Sequence, residues 1–515
     1  MKKIVLDGSA LKLHVLKTFL TNDVAIELSD KSRQGLVEVR TFIDRKLQDG
    51  GTYYGINTGF GRLARERISH DDLLTLQHNI VVSHAAGVGE PFSSTTSRLI
   101  MLLRANCLAA GYSGISPETL DLLLSLLNHH ITPIIPSKGS VSASGDLAPL
   151  AHIALSLLGK GTCRFQEKIV STSEALKACN LRPVTLKPKE GLALVNGTQA
   201  TLAVAVQALI TAEHLSTIAD IAGALSLEAD RASLTPFDPR LQALRPQPGQ
   251  LQTAENILRF TADSSIMKGH AHCSRVQDPY SFRCIPQVHG AVKDALDHVR
   301  KVVEAELGSI TDNPILFPDT DEIISGGNFH AEPLGFAMDF LSIAFTKLGA
   351  MSERRVAILL NPLDDELPSR FLTPAPGLNS GYMIPHVTMS ALVSENKSLS
   401  YPASVDSIPT SGNQEDHVSM GLIAAKKAMT ILENVERIFA IELLAACQAI
   451  DLQQEKQRPG KVTGAVYDYI RQHVPFAEKD REFGVDMAMV LHLMQTGRIL
   501  DCSEAHRLHH RHPLF

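Results

Sequence analysis

The stretch SVSASGDLAPLAHIALSLL, from Ser140 to Leu158, decides how the chain is read. Asp146 stands where an N-cap belongs, and Pro149 falls in a first turn that needs no amide donor there. The apolar run to Leu158, with Gly159 behind it, predicts a helix with a C-terminal stop. Three small residues, Ala143, Ser144 and Gly145, come just before that helix. The Gly145 amide carries no side chain to block it and tolerates strained dihedrals. In a compressed loop its nitrogen can attack the Ala143 carbonyl. Loss of one water closes a five-membered ring, and loss of a second from Ser144 leaves an exocyclic methylidene. The product is an electrophile made from the chain itself, placed where a helix dipole stabilises negative charge. Taken alone, the tripeptide reads as an ordinary small-residue turn before a helix.

A chain of 515 residues, 44% hydrophobic and 20% charged, can bury a large core, and its length suggests about three domains. The 49 Lys and Arg against 55 Asp and Glu leave a net charge of −6, with no basic face for nucleic acid and no block of like charge. Seven scattered cysteines, Cys107, Cys163, Cys179, Cys273, Cys284, Cys447 and Cys502, argue against a disulfide framework and for a reducing compartment. The opening MKKIVLDGSALKLHV is broken by Asp7 and does not read as a signal peptide. The most apolar long stretch, Ala200 to Leu227, contains Gln207, Glu213, His214 and Asp220, which predicts a buried helix and no membrane span. A soluble, cytoplasmic protein is expected.

Lys3 to Leu6 and Val24 to Leu28 are candidate strands, and Ser29 can cap a helix to about Gln48 with Val39, Phe42, Ile43 and Leu47 on one side. The loop TYYGINTGFGRLA, with Gly55, Gly59 and Gly61, lacks the spacing of a dinucleotide fingerprint. It reads as a lid around Tyr54 that closes on substrate or, by pattern alone, as a tight surface turn. From about residue 65 helix signals dominate: Ser94 to Ala110, Ser116-Pro117-Glu118 onward, Gly197 to Glu228, His289 to Leu307, Ala331 to Leu360 and Asp416 to Gln453. The expected architecture is mainly α: a mixed N-terminal domain over 1–110 and a large bundle of long helices over 111–515 carrying the tripeptide. Long apolar helices with little charge on any face also suggest a homo-oligomer.

The string SASGDLAPLAH resembles the active-site segment of the aromatic amino acid ammonia-lyases, and the resemblance extends over essentially the whole chain. It implies an aspartase/fumarase-like helical fold and a 4-methylideneimidazol-5-one (MIO) group formed autocatalytically from Ala143, Ser144 and Gly145, with no exogenous cofactor and no metal. Such a group lets an α-amino acid lose ammonia and leave an α,β-unsaturated acid. The reaction also needs a base, a carboxylate clamp and a side-chain pocket.

Tyr54, directly before Gly55, matches the family's lid tyrosine and is the candidate base; its phenol, ordinarily near about 10, must be tuned downward. Arg283, in RVQDPYSFRCIPQVHG, is the candidate clamp, since a guanidinium binds a carboxylate through two parallel hydrogen bonds. Gln277 and Tyr280 in the same string match residues lining the site, Tyr280 among the catalytic ones. Asn196, in EGLALVNGTQ, matches a residue bonding near the MIO and the substrate carboxylate, and also reads as an N-cap before Gly197. Phe329, in SGGNFHAEP, matches a pocket aromatic. Ser83-His84 and Gln414-Glu415 match the histidine-specific members. An imidazole needs polar partners at both nitrogens, where a phenyl ring needs an apolar wall. Glu415 can accept from an imidazole N–H or act as a second acid/base group, and His84 can hold the other nitrogen.

The resemblance therefore implies non-oxidative deamination of L-histidine to trans-urocanate and ammonia, the first step of histidine degradation, in a homotetramer with active sites shared between subunits. The rivals are a tyrosine or phenylalanine lyase, an aminomutase, or a helical binding module in which the ring never forms. His270, His272 and Cys273, and the tail histidines His506, His509, His510 and His512, lack the paired spacing of a zinc site and read as non-ligands.

Overall fold

A computed structural model of the chain describes residues 2–269, 275–362, 370–453, 455 and 457–502. His270, His272, Cys273 and the four tail histidines lie outside the described residues.

The chain starts with two parallel strands, Lys2–Leu6 and Val24–Leu28, in register with Ile4 opposite Ile26. Parallel pairing needs a crossover, supplied by the Leu13–Thr21 helix, which buries Leu16 and Phe19. Nothing in the pattern announces that helix, because no side chain caps its start. Ser29 does cap the Asp30–Gln48 helix, its hydroxyl accepting from the Ser32 amide at 3.1 Å. Val39, Phe42 and Ile43 on that helix pack with Ile56 and Leu316 into one core.

The chain divides into two compact units. The first takes Met1–Gln207, Arg300–Asp339 and Pro402–Lys426; the second takes Ala208–Val299, Phe340–Tyr401 and Lys427–Phe515. The expected boundary near residue 110 falls inside the first unit, where the Ser94–Ala109 helix packs on Pro117–Asn128. Four of the five divisions lie within continuous helices, Gln199–Ala229, Ile285–Glu306, Glu332–Leu360 and Gly421–Asp451. A boundary inside a helix carries no linker composition, which is why none is visible in the sequence.

In the first unit the helices Leu73–His84, Leu147–Leu157 and Glu190–Val195 pack against one another. Each has a candidate site residue at one end: His84, the tripeptide and Asn196. The polar anchor of this packing is Gln77, fully buried, whose side-chain oxygen accepts from the Gly191 amide at 2.9 Å. Small sheets pair Val88–Pro91 with Pro136–Lys138, Ile315–Phe317 with Glu322–Ile324, and Thr132–Pro133 with Thr162–Phe165 and Lys168–Ser171. These strands are too short to show alternation in the sequence.

Gln199–Ala229 and Glu332–Leu360 are long and apolar enough to cross a membrane by length and composition, but 78% and 67% of their most apolar windows are buried inside the fold, as in core helices. In the second unit, Asp220 accepts from His289 Nδ1 and Lys293 Nζ, both at 2.9 Å, and Arg355 pairs with Glu442, both side chains fully buried.

Candidate active site

Ala143 is buried and Ser144 half-buried at the head of the Leu147–Leu157 helix. Gly145 has φ +73°, a left-handed conformation, and a Cβ there would lie 2.3 Å from the Gly197 carbonyl oxygen. Only glycine fits. The Gly197 carbonyl in turn accepts from the Asp146 amide at 2.7 Å.

Asp146 does not cap its own helix. Its carboxylate is fully buried and accepts from the Ser140, Ser142 and Thr201 hydroxyls at 2.8, 2.9 and 2.9 Å. Its other oxygen accepts from the Thr201 amide at 2.7 Å, in the first turn of the Gln199–Ala229 helix. The charge thus serves the neighbouring helix's N-terminus and staples the loop to it. Burial nevertheless raises the Asp146 pKa, with those donors opposing the rise. The loop is closed from the other side by Ser419 Oγ donating to the Ser142 carbonyl at 2.9 Å and by the Leu422 amide donating to Ser142 Oγ at 3.1 Å.

Two side chains engage Ser144 directly. Asn196 Nδ2 donates to its carbonyl at 2.7 Å, and the Ser144 hydroxyl donates to Glu415 Oε1. Asn196 ends the Glu190–Val195 helix; it is not the N-cap of the next one. Its Oδ1 is buried with no partner among the described residues, an acceptor left over for a ligand. The other Glu415 oxygen accepts from Thr410 Oγ1 at 2.5 Å and Ser411 Oγ at 2.8 Å. Burial would raise the Glu415 pKa, but the bonds from Ser144, Thr410 and Ser411 hold it below the usual carboxylate value, with a smaller contribution from nearby His84. His84 is shifted downward by burial, against the pull of the Ile80 carbonyl and of Glu415, and is neutral at pH 7. Ser83 Oγ lies 3.0 Å from His84 Nδ1.

Tyr54 sits on a loop whose Gly55, Ile56, Asn57, Thr58 and Gly59 are buried, so this part of the loop is packed and is not a surface turn. Its hydroxyl accepts from the Gly61 amide at 3.1 Å, and Arg62 ties the same loop to the Glu415 segment by donating to the Gly412 carbonyl at 2.5 Å. Burial raises the Tyr54 pKa; the Gly61 donor opposes this and the Glu415 charge adds to it. Among the described residues no positive charge acts on the phenol, and the shift runs opposite to the downward tuning expected. Phe329 is half-buried two residues before Ala331, whose amide donates to the Ser142 carbonyl at 3.3 Å. Gln414 is exposed beside Glu415.

Gln277, Tyr280 and Arg283 belong to the second unit and line a cavity of about 880 Å³ with Arg275, Asp278 and Gln287. Tyr280 opens the short Tyr280–Arg283 helix, and the Arg283 guanidinium lies over its ring at 4.6 Å. Arg283 Nε and Gln287 Oε1 are buried without partners among the described residues, a donor and an acceptor suited to a polar ligand. Thr410, Ser411 and Arg62 surround the candidate site although the motif reading does not single them out, and it reads Asp146 only as a helix cap. The only sign of the first two is the polar run SIPTSGNQEDH around Glu415.

Residues 11–472 match the sequence profile of the aromatic amino acid lyases. The chain belongs to this family. It is 47% identical to the histidine ammonia-lyase of Stigmatella aurantiaca over 499 residues, 97% of this chain and 98% of that one. Its fold matches the crystal structure of a histidine ammonia-lyase from Trypanosoma cruzi with a TM-score of 0.89 and 40% identity, covering 98% of this chain and 95% of that one. A tyrosine aminomutase from Streptomyces globisporus matches with a TM-score of 0.90 and 34% identity, covering 97% and 98%.

As an aromatic amino acid lyase, the chain can be asked whether its residues fit an MIO. Gly145 is held left-handed against Gly197, and the Ser144 carbonyl, the ring oxygen of such a group, already has its Asn196 donor. The Ser144 hydroxyl that must leave already faces a carboxylate. The residues fit.

Proposed function

We propose that the chain is a histidine ammonia-lyase that converts L-histidine to trans-urocanate and ammonia through an MIO formed from Ala143, Ser144 and Gly145. The observation that carries this reading is the Ser144–Glu415 contact, with His84 close enough to Glu415 for the two groups to couple electrostatically. An acceptor on the reacting serine, and a neutral imidazole within electrostatic reach of that acceptor, suit a substrate with two ring nitrogens and would leave a phenyl ring facing unpaired polar groups.

When formed, the MIO supplies an electrophile that turns the substrate's amino group into a leaving group. The chain's own residues do the rest. Asn196 holds the Ser144 carbonyl where negative charge develops. Glu415 and His84 hold the imidazole, with Ser83 fixing the His84 ring and Gln414 beside the carboxylate. Phe329 is the apolar wall. Arg283 clamps the substrate carboxylate, assisted by Gln277. Tyr54 is the candidate for removing the β-proton, with Tyr280 or Glu415 as the partner that returns or relays a proton. Tyr54 requires the substrate's ammonium or the formed ring to lower its pKa from the raised value of the free chain.

A cytoplasmic homotetramer with active sites shared between subunits is part of the proposal. It is supported by exposed apolar side chains such as Ile343, Ile384 and Val387, and by the free cysteines Cys107, Cys163, Cys179, Cys284 and Cys447. The experiment is Ser144→Ala. Ammonia release from L-histidine should fall by more than about 10³-fold while the fold is retained, because the substitution removes the methylidene and little packing. Near-normal turnover in that variant would sink the mechanism.

A further inference from the structure

Arg104 lies on the Ser94–Ala109 helix and is 1% exposed, among the largest fully buried side chains of the chain. No carboxylate among the described residues pairs with it. Its guanidinium instead bonds one turn, Nη2 donating to the Ala193 carbonyl and Nη1 to Gln199 Oε1 at 2.9 Å, with Nη1 also 3.9 Å from Cys107 Sγ on its own helix. Ala193 and Gln199 bracket Asn196 and Gly197. Gln199 Nε2 passes the restraint on by donating to Thr311 Oγ1 at 2.8 Å.

The guanidinium also fills the space behind Gly197. A Cβ on Gly197 would lie 2.4 Å from Arg104 Nη1, just as a Cβ on Gly145 would lie 2.3 Å from the Gly197 carbonyl oxygen. Arg104, Gly197 and Gly145 are therefore stacked in contact, with the turn clamped between guanidinium and tripeptide. Burying a charge with no counter-ion is expensive, and a leucine or methionine would fill the volume without that cost. What neither could do is bond both ends of the Ala193–Gln199 turn, whose middle residue Asn196 holds the Ser144 carbonyl.

We infer that Arg104 is a positioning residue for ring closure: it holds the Asn196–Gly197 turn so that the turn presses Gly145 and orients Asn196 on Ser144. This rests on the proposed MIO. In the closure the Gly145 nitrogen bonds the Ala143 carbonyl carbon. The Ala143 oxygen leaves as water with the Gly145 and Ser144 amide protons, and the Ser144 hydroxyl leaves as a second water with the α-proton. No oxidant or reductant is required. Arg104 touches none of the reacting atoms and acts through the turn alone.

The test is the mass of the peptide spanning Ser144, taken from folded, full-length protein, together with kcat and KM for L-histidine. The wild-type peptide should lack two waters. Arg104→Gln should leave most of the peptide at full mass, lower kcat in proportion to the unclosed fraction, at least tenfold, and leave KM within about twofold. Arg104→Lys should recover part of the deficit. Should Arg104→Gln fail to accumulate as folded protein, Gln199→Met removes one of the two acceptors and carries the same expectation at smaller amplitude. A complete two-water deficit with wild-type kcat in a folded Arg104→Gln or Gln199→Met protein overturns the inference alone. A full-mass wild-type peptide overturns the proposed MIO and this inference with it.

Discussion

The Ser144 hydroxyl donates to the Glu415 carboxylate across 271 residues of sequence. The contact joins the tripeptide to the Glu415 segment, which we propose distinguishes an imidazole pocket from a phenyl pocket. Glu415 is held there by Thr410 and Ser411 and kept below the ordinary carboxylate pKa of 4.5. It is anionic at neutral pH. The ionised form is fully present above 4.5 and is lost as pH falls through the lower value of the folded chain. Glu415→Gln keeps the volume and removes the charge. Turnover of L-histidine should fall by about 10²-fold, with circular dichroism unchanged. Full activity in that variant would remove Glu415 from the mechanism.

His84 is predicted to set substrate choice. Its pKa is depressed by burial, so it presents a neutral ring to the substrate above its ordinary 6.5. His84→Leu replaces a hydrogen-bonding wall with an apolar one. The ratio of kcat/KM for L-histidine over L-phenylalanine should fall by about 10- to 100-fold. Steady-state assays with both amino acids check this, and an unchanged ratio would contradict the pocket assignment.

Gly145 allows no side chain. Gly145→Ala places a methyl 2.3 Å from the Gly197 carbonyl oxygen at a residue with φ +73°. The variant should lose about 2–4 kcal/mol of stability, read as a lowered urea midpoint. A midpoint within error of wild type would show that the loop relaxes freely, and the compression argument would fail with it.

The second unit should weaken with acid because of His289. Burial pushes its pKa down to about 4, Arg355 and Lys293 adding to the fall while Asp220 opposes it. The unfolded chain therefore binds a proton first as pH drops below 6.5, and stability falls between 6.5 and about 4, by about 3 kcal/mol. Asp220, held at about 2, extends the decline below its ordinary 3.8. Unfolding midpoints against pH should show this slope in the wild type and a flatter one between 6.5 and 4 in His289→Gln. Parallel slopes would assign the acid sensitivity elsewhere.

Local patterns are legible where the chain's own neighbours decide them. The Ser29 and Ser116 caps, Gly159 after the Leu147–Leu157 helix, and the apolar spacing of Val292, Leu296, Val299 and Val303 all depend on residues within a few positions. The tripeptide is a short string of the same kind, whereas its companion motifs stand out only through the family resemblance. What was not legible depends on distance. Asp146 looks like a cap for its own helix, but its partner Thr201 lies 55 residues on, and no periodicity records which helix a buried carboxylate will serve. The raised pKa of Tyr54 follows from burial and from Glu415, neither of which its loop sequence reveals. Arg104 reads as one more helix-forming residue until its two acceptors, Ala193 and Gln199, are seen.

The most direct test is a substrate panel. Purified protein with no added cofactor is incubated separately with L-histidine, L-tyrosine and L-phenylalanine, following the ultraviolet absorbance of the conjugated acrylate and the ammonia released. The account predicts ammonia and urocanate from L-histidine, with little from the other two. Ammonia from none of the three would contradict it.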